Sequence, residues 1–275
     1  MQKNYANINE ENVETAFSKQ AIIFDDLYAN DSIIQYKRKR VRELIKRTIP
    51  AKCNILELNC GTGEDAIWLA NEGHLVHATD ISANMLEVLH QKVKSSKLEN
   101  RISYELCSFS ALDKLCYRGP YDLIFSNFAG LNCTGELEKV LQYFSPLLKP
   151  EGIVTLVILP PFCLWESLLI FKGMFKTATR RLLNKNGTPA KVEGSPFKCW
   201  YYKPSVITNH LKEEFTLLNI EGLCTIVPPS YISQFGQKHP GIFKFLSKKE
   251  NKWKDKWPWK YIGDYYIITL KKNSR

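Results

Sequence analysis

Glu57-Leu58-Asn59-Cys60-Gly61-Thr62-Gly63-Glu64-Asp65 is the stretch of this 275-residue chain whose residue types and spacing suit ligand chemistry. Gly61 and Gly63 permit a tight turn and a close approach of a ligand to the backbone. Asp80 follows Gly63 by 17 residues. A carboxylate there is placed to accept hydrogen bonds from ribose hydroxyls. A glycine pair alone is a weak signal. Set between a strand and a helix, with an acid ending the next strand, it reads as a nucleoside-binding loop. Ala66 stands where a dinucleotide fingerprint has its third glycine, a permitted variant, so spacing alone leaves that reading open. Glu57 argues against it. A carboxylate two residues before the turn repels a pyrophosphate and suits the amino group of a methionine-like tail, directly or through water.

The surrounding pattern supplies the elements that position these residues. CNILEL (53–58) reads as a buried parallel strand, Glu64 to Glu72 as a helix stopped by Gly73, and LVHATD (75–80) as a second strand. Ser82 is a candidate N-cap for a helix through about Lys94. Ile102 to Cys107, YDLIFSN (121–127) and GIVTLVIL (152–159) read as three further strands, with a helix from Gly135 to Leu148 and the turn KPEG before the last. Such alternation predicts an α/β fold, a parallel sheet with helices on both faces. Residues 10–49 read as helical, and 215–222 and 264–272 as two late strands. The expected organisation is an N-terminal helical cap (1–49), a core (50–159), a lid insertion (160–204), and a C-terminal part of the core (205–275) with a second lid insertion at about 228–260. The lids are expected over the sheet's carboxyl edge, where open α/β sheets place ligands.

Hydrophobic residues make up 44% of the chain and charged residues 24%, enough to bury a sizeable core. The eight cysteines show neither a C-x-x-C pair nor zinc-ligand spacing. They read as buried, reduced thiols in a cytoplasmic protein with no metal. The polar N-terminus has no secretory signal. Residues 152–171 have the length to span a bilayer, but Pro160-Pro161 and Glu166 interrupt them, so they read as a strand followed by an amphipathic helix. The net charge of +10 is concentrated, with +6 in Lys37–Arg47 and +8 in Gln237–Arg275. Each segment reads as a solvated helix face or as a surface for an anionic membrane or nucleic acid. Residues 240–261 mix Lys with Phe and Trp, which suits a lid helix, a membrane interface or stacking on single-stranded nucleic acid.

ILELNCGTGEDA followed by HLVHATDISANML resembles the first two motifs of class I S-adenosylmethionine-dependent methyltransferases. YDLIFSNFAGLNC…LEKVLQYFSPLLKPEGIVTLVIL is similar to that family's fourth-to-fifth-strand region, including its K-P-x-G turn. The resemblance covers 53–159 well and the late strands loosely. It implies a Rossmann-like, doubly wound, mostly parallel seven-stranded sheet with helical lid insertions, and S-adenosyl-L-methionine as cofactor. By position it implies that Glu57 lies near the methionine amino group and that Asn59, Gly61 and Gly63 form the cofactor loop. Asp80 would bind ribose, Ile81 and Met85 pack near the adenosine, Ser108 and Phe109 take the adenine position, and Asn127 sits beside the methionine moiety. Asn59 departs from the usual first glycine and Ser108 from a frequent Asp. The segment 24–41 resembles the helical cap of related enzymes, in which Tyr36 and Arg40 are expected to reach the cofactor carboxylate.

The N-P-P-[YF] pattern of adenine and amide methylation is absent, because Phe-Ala-Gly follows Asn127. No cysteine-based RNA methylation motif is recognisable, and no catalytic base stands out. Phe128, Trp165, Tyr201 and Tyr202 are expected to touch the acceptor. The expected function is methyl transfer to a small or lipid-like, largely apolar acceptor. RNA or protein methylation is one alternative and a non-catalytic cofactor-binding scaffold another; Glu57 disfavours a nicotinamide oxidoreductase.

Overall fold

Strand–helix alternation produces one central sheet. In the computed structural model, which describes residues 5–182, 186–232 and 234–274, the chain opens with three helices, α1 (Tyr5–Gln20), α2 (Phe24–Ala29) and α3 (Ser32–Thr48). Asp31 caps α3 by accepting from the backbone N–H of Ile33 (2.8 Å) and Ile34 (3.0 Å). There follow β1 (Asn54–Leu58), α4 (Glu64–Asn71), β2 (Leu75–Asp80), α5 (Ala83–Ser95), β3 (Ile102–Leu106), β4 (Tyr121–Ser126), α6 (Leu137–Leu141), α7 (Phe144–Leu147) and β5 (Leu148–Ile158). Beyond β5 come α8 (Leu164–Ser167), α9 (Phe175–Thr179), β6 (Thr188–Val192), β7 (Ser195–Cys199), α10 (Pro204–Leu211), β8 (Phe215–Leu223), α11 (Phe235–Lys238), α12 (Pro240–Trp253) and β9 (Tyr265–Lys272). Residues 1–4 of the expected cap, 183–185 and Ser233 of the expected lids, and Arg275 lie outside the described residues.

The sheet has seven strands in the order β3-β2-β1-β4-β5-β9-β8, parallel except for β9, which runs antiparallel to both neighbours. Alternate residues feed two cores. Leu56, Leu58 and Ile124 enter one, and Ile55, Leu123 and Phe125 the other, all fully buried. Burial on both faces explains why these strands read as continuous apolar runs. Switching direction from β1 to β4 opens a crevice at their carboxyl ends, the topological switch point of such sheets. Among the described residues no helix is long and apolar enough to cross a membrane.

Several local expectations need correction. The helix expected from Gly135 to Leu148 is two short ones, α6 and α7. Pro146 lacks an N–H and crowds the preceding turn, so one continuous helix cannot form. The amphipathic helix expected after Pro160-Pro161 is broken into short turns, one of them capped by Gly173 at φ +73°. Within the expected lid at 160–204, Thr188–Val192 and Ser195–Cys199 form the β6–β7 hairpin. Glu193 (φ +43°) and Gly194 (φ +78°) both take the left-handed region, as a two-residue hairpin turn of matching twist demands. β5 begins at Leu148, four residues earlier than expected.

α1 bridges this hairpin and the core. The Asn9 amide donates to Cys133 O (2.7 Å) and accepts from Lys198 N (2.7 Å), and the Ser18 and Ser82 hydroxyls pair at 2.7 Å. α12 is held by Glu250, a fully buried carboxylate. It accepts from four backbone N–H groups, those of Cys224 (3.0 Å), Thr225 (2.9 Å), Ile226 (2.9 Å) and Val227 (2.8 Å), and pairs with Arg40 at 3.2 Å. Removing it leaves four backbone donors unpaired and takes from the Arg40 guanidinium one of its two carboxylates. Glu250→Ala is expected to lower stability by about 3–5 kcal/mol, read from the midpoint of urea unfolding.

Candidate functional site

The site grows from the carboxyl ends of β1, β2 and β4. After β1, Asn59 takes φ +47°, which asparagine tolerates better than most residues. Its side chain ties two strand ends together, with Nδ2 donating to Asn127 O (3.0 Å) and Oδ1 accepting from the Ser126 hydroxyl (2.7 Å). Gly61 (φ +55°) has nothing within 4 Å of where a Cβ would stand, so the loop meets open space there. Gly63 (φ +78°) serves packing instead, because a Cβ would lie 2.1 Å from Leu89 Cδ1 of α5. Asp80 ends β2 and is 7% exposed. Its carboxylate accepts from Gly61 N (2.8 Å) and Ser82 N (2.9 Å), which fixes its orientation toward the loop. Burial raises its pKa against the pull of these backbone donors.

Two more carboxylates crowd the same place. Glu57 is 3% exposed, and its Oε2 has no hydrogen-bond partner. Burial first, and then Asp65, push its pKa well up, while Arg38 and Arg42 oppose the shift. Asp65, in the first turn of α4, accepts from Arg42 Nε (2.9 Å) and from the Asn127 amide (2.7 Å). Arg38 approaches Asp65 at 3.8 Å and Glu64 at 3.9 Å, and its buried Nε has no partner. A second link closes the N-terminal side. Asp25 of α2 accepts from the Thr62 hydroxyl (2.6 Å) and from Lys92 (2.7 Å).

These groups surround a cavity at the carboxyl ends of the three strands, with room of about 130 Å³ for water-sized molecules. Of the residues expected to hold the cofactor, Glu57, Asn59, Gly61, Asp80, Ile81, Met85, Phe109 and Asn127 line it, as does Phe128, expected at the acceptor. Gly63 and Ser108 do not; Ser108 caps the turn after β3 by accepting from Ser110 N at 3.2 Å. Tyr36 and Arg40 require correction. Arg40 donates to Tyr36 Oη (2.9 Å), Glu250 (3.2 Å) and Glu221 (3.1 Å), and Tyr36 donates to Glu250 (3.0 Å), all away from the cavity. Two residues along a helix turn a side chain by about 200°, so Arg38 faces the cavity and Arg40 the α12 brace. The acceptor expectation also changes for three aromatics. Trp165 donates to Thr225 O (3.1 Å), Tyr201 packs 5.2 Å from the Arg181 guanidinium, and Tyr202 donates to Thr134 O. None of them lines the cavity.

Sequence reasoning missed Arg38, Asp65, Thr62 and the apolar roof of Val13, Phe17 and Phe24. One signal was present, because Arg38 and Arg42 stand four apart and share a helix face opposite an acid-rich first turn in α4. The roof carries no comparable signal. The thiols on the wall are held protonated: burial pushes Cys107 up to about 11 and raises Cys60 and Cys133. The described wall has no His, Tyr or Lys. Away from the cavity, Cys163, Glu166 and Asp264 cluster tightly, but both carboxylates already accept from Arg181. The basic segment Lys37–Arg47 is not a free surface either. Lys37, Arg38 and Arg40 are buried, and Arg42, Lys46 and Arg47 pair with Asp65, Glu72 and Glu221.

The family profile described as a methyltransferase domain matches residues 55–152. The chain is 31% identical over 137 residues to the putative methyltransferase YqeM of Bacillus subtilis, covering 49% of this chain and 51% of that protein. It is 31% identical over 152 residues to the demethylmenaquinone methyltransferase of Listeria monocytogenes, covering 52% and 60%. The chain thus spans about half the length of the curated relatives it matches. Among solved structures, the methyltransferase CcbJ of Streptomyces caelestis superposes with a TM-score of 0.61 at 17% identity, covering 94% of this chain and 99% of that one. The [4+2]-cyclase SpnF superposes at 0.62 with 12% identity, covering 97% of each. At these identities the likeness is one of fold. Residues 55–152 thus match a methyltransferase domain, and the order of the seven strands is the fold the chain shares with solved S-adenosylmethionine-dependent methyltransferases.

Proposed function

We propose that this chain transfers the methyl group of S-adenosylmethionine to a small or lipid-like, largely apolar acceptor. One observation carries the reading: a buried carboxylate oxygen without a protein partner, Glu57 Oε2, lies on the wall of a cavity whose roof is apolar. An ammonium group would satisfy that oxygen, and the unpartnered Arg38 Nε awaits a carboxylate. Open space beside Gly61 and the oriented Asp80 carboxylate suit a nucleoside. The residues present therefore fit the cofactor. Glu57 and Arg38 would hold its amino-acid end, Asp80 its ribose, and Ile81, Met85 and Phe109 its adenine. Bound there, the sulfonium supplies an electrophilic methyl group.

The rest falls to the chain. Val13, Phe17 and Phe24 of the roof, with Phe128, exclude water from the reacting atoms. The described wall offers no imidazole, phenol or amine, and its carboxylates Asp65 and Glu64 are engaged with Arg42 and Lys92. Acceleration then comes from holding acceptor and methyl in line, not from a strong base. Relatives named for a demethylmenaquinone acceptor support an apolar substrate. The protonated wall thiols count against cysteine-based RNA methylation, and the neutralised Lys37–Arg47 segment counts against a nucleic-acid surface there.

Asp80→Ala is expected to weaken cofactor binding by roughly 1–3 kcal/mol in calorimetry; unchanged affinity in a folded variant removes Asp80 from the site. Arg38→Ala is expected to cost roughly 1.5–3 kcal/mol of cofactor affinity, whereas Arg40→Ala lowers stability and leaves affinity near the parent value. Ribose donors need the ionised Asp80. Since burial raises its pKa, affinity should fall with acidification at a pH above the usual carboxylate range. Incubating a metabolite and lipid extract with isotopically labelled S-adenosylmethionine tests the whole reading. Label appearing only in polar macromolecules would overturn it.

A further inference from the structure

The segment between β5 and the hairpin reverses the usual placement of charge and apolar surface. Glu166 is the one acid between residues 160 and 182, and it is 2% exposed. It accepts from Arg180 (2.6 Å) and Arg181 (2.6 Å), and Arg181 also holds Asp264 at 2.8 Å. Trp165 Nε1 and Leu164 N donate to Thr225 O (3.1 Å) and Ile262 O (2.9 Å). The inner side of the segment is therefore pinned by ion pairs and hydrogen bonds. Its outer side carries Leu168, Ile170, Phe171, Met174, Phe175 and Leu182, all exposed, with Phe171 at 86% and Phe175 at 63%. Lys172 and Lys176 stand exposed among them. A soluble surface rarely presents so many large apolar side chains together.

We propose that this face docks on an anionic lipid surface, with Phe171 and Phe175 entering the acyl boundary and Lys172 and Lys176 meeting the headgroups. Short turns studded with Phe, Leu and Lys suit that boundary, where apolar burial and attraction to negative lipid add. Charge argues against a second copy of the chain as the occupant. A two-fold contact would bring the lysines of one face against those of the other with no exposed acid in the segment to pair them. On the methyl-transfer reading above, a lipid-like acceptor would come from this surface, and that link alone rests on that reading.

The test is co-sedimentation of the full chain with vesicles of phosphatidylcholine mixed with phosphatidylglycerol, and with vesicles of phosphatidylcholine alone. Binding is expected to the mixed vesicles and to weaken as salt rises. The double substitution F171S/F175S should reduce it by more than about tenfold, and K172Q/K176Q by about tenfold, each with cofactor affinity unchanged in calorimetry. No binding to mixed vesicles, or equal binding by F171S/F175S, overturns the proposal. So does a dimer in sedimentation equilibrium that the same substitution dissociates. Cofactor binding without vesicle binding removes the surface and leaves the methyl-transfer reading standing. Vesicle binding without label transfer does the reverse.

Discussion

Three carboxylates, Glu57, Asp65 and Asp80, lie buried at the carboxyl tips of β1 and β2 and the first turn of α4, and the architecture around the cavity answers that charge. Negative groups this close in low dielectric repel strongly unless donors and cations meet them. Backbone N–H groups of Gly61 and Ser82 meet Asp80, and Arg42 and the Asn127 amide meet Asp65. Glu57 is left with one oxygen unanswered. Under the proposed function, that oxygen would meet the ammonium group of the cofactor.

α3 carries the compensation in two directions. One face sends Arg38 and Arg42 toward the site. The opposite face sends Arg40 and Tyr36 into Glu250 and Glu221, which anchor α12 and β8. The helix is thereby a strut between the ligand loop and the C-terminal insertion. Lys37, Arg38 and Arg40 among its seven basic residues are buried and Arg42, Lys46 and Arg47 are paired, so the segment offers less free charge than its sequence suggests. Above it, α1 and α2 close the cavity through Ser82, Thr62 and Lys92, three residues that also flank the loop and α5.

α1 and the 164–182 segment follow opposite designs. α1 turns Val13 and Phe17 inward and leaves polar residues outside. The 164–182 segment turns its ion pairs inward and its phenylalanines outward. Under the proposals above, the first arrangement would shield the reacting atoms from water and the second would meet a lipid surface.

Much of the core is legible in the amino-acid sequence, because local signals carry it. The apolar runs of β1, β4 and β5 announce strands buried on both faces, Ser82 announces a cap, and the spacing of Gly61, Gly63 and Asp80 announces the turn after β1 and the acid that ends β2. The choice between Arg38 and Arg40, the turning away of Trp165, Tyr201 and Tyr202, and the roof of Val13, Phe17 and Phe24 belong to the tertiary structure alone. These depend on partners far along the chain, such as Glu250 lying 210 residues from Arg40. Periodicity says that a side chain is on a face; only the packing of whole elements decides which partner that face meets, because burial of a charge is tolerable only where its counterpart has already been brought.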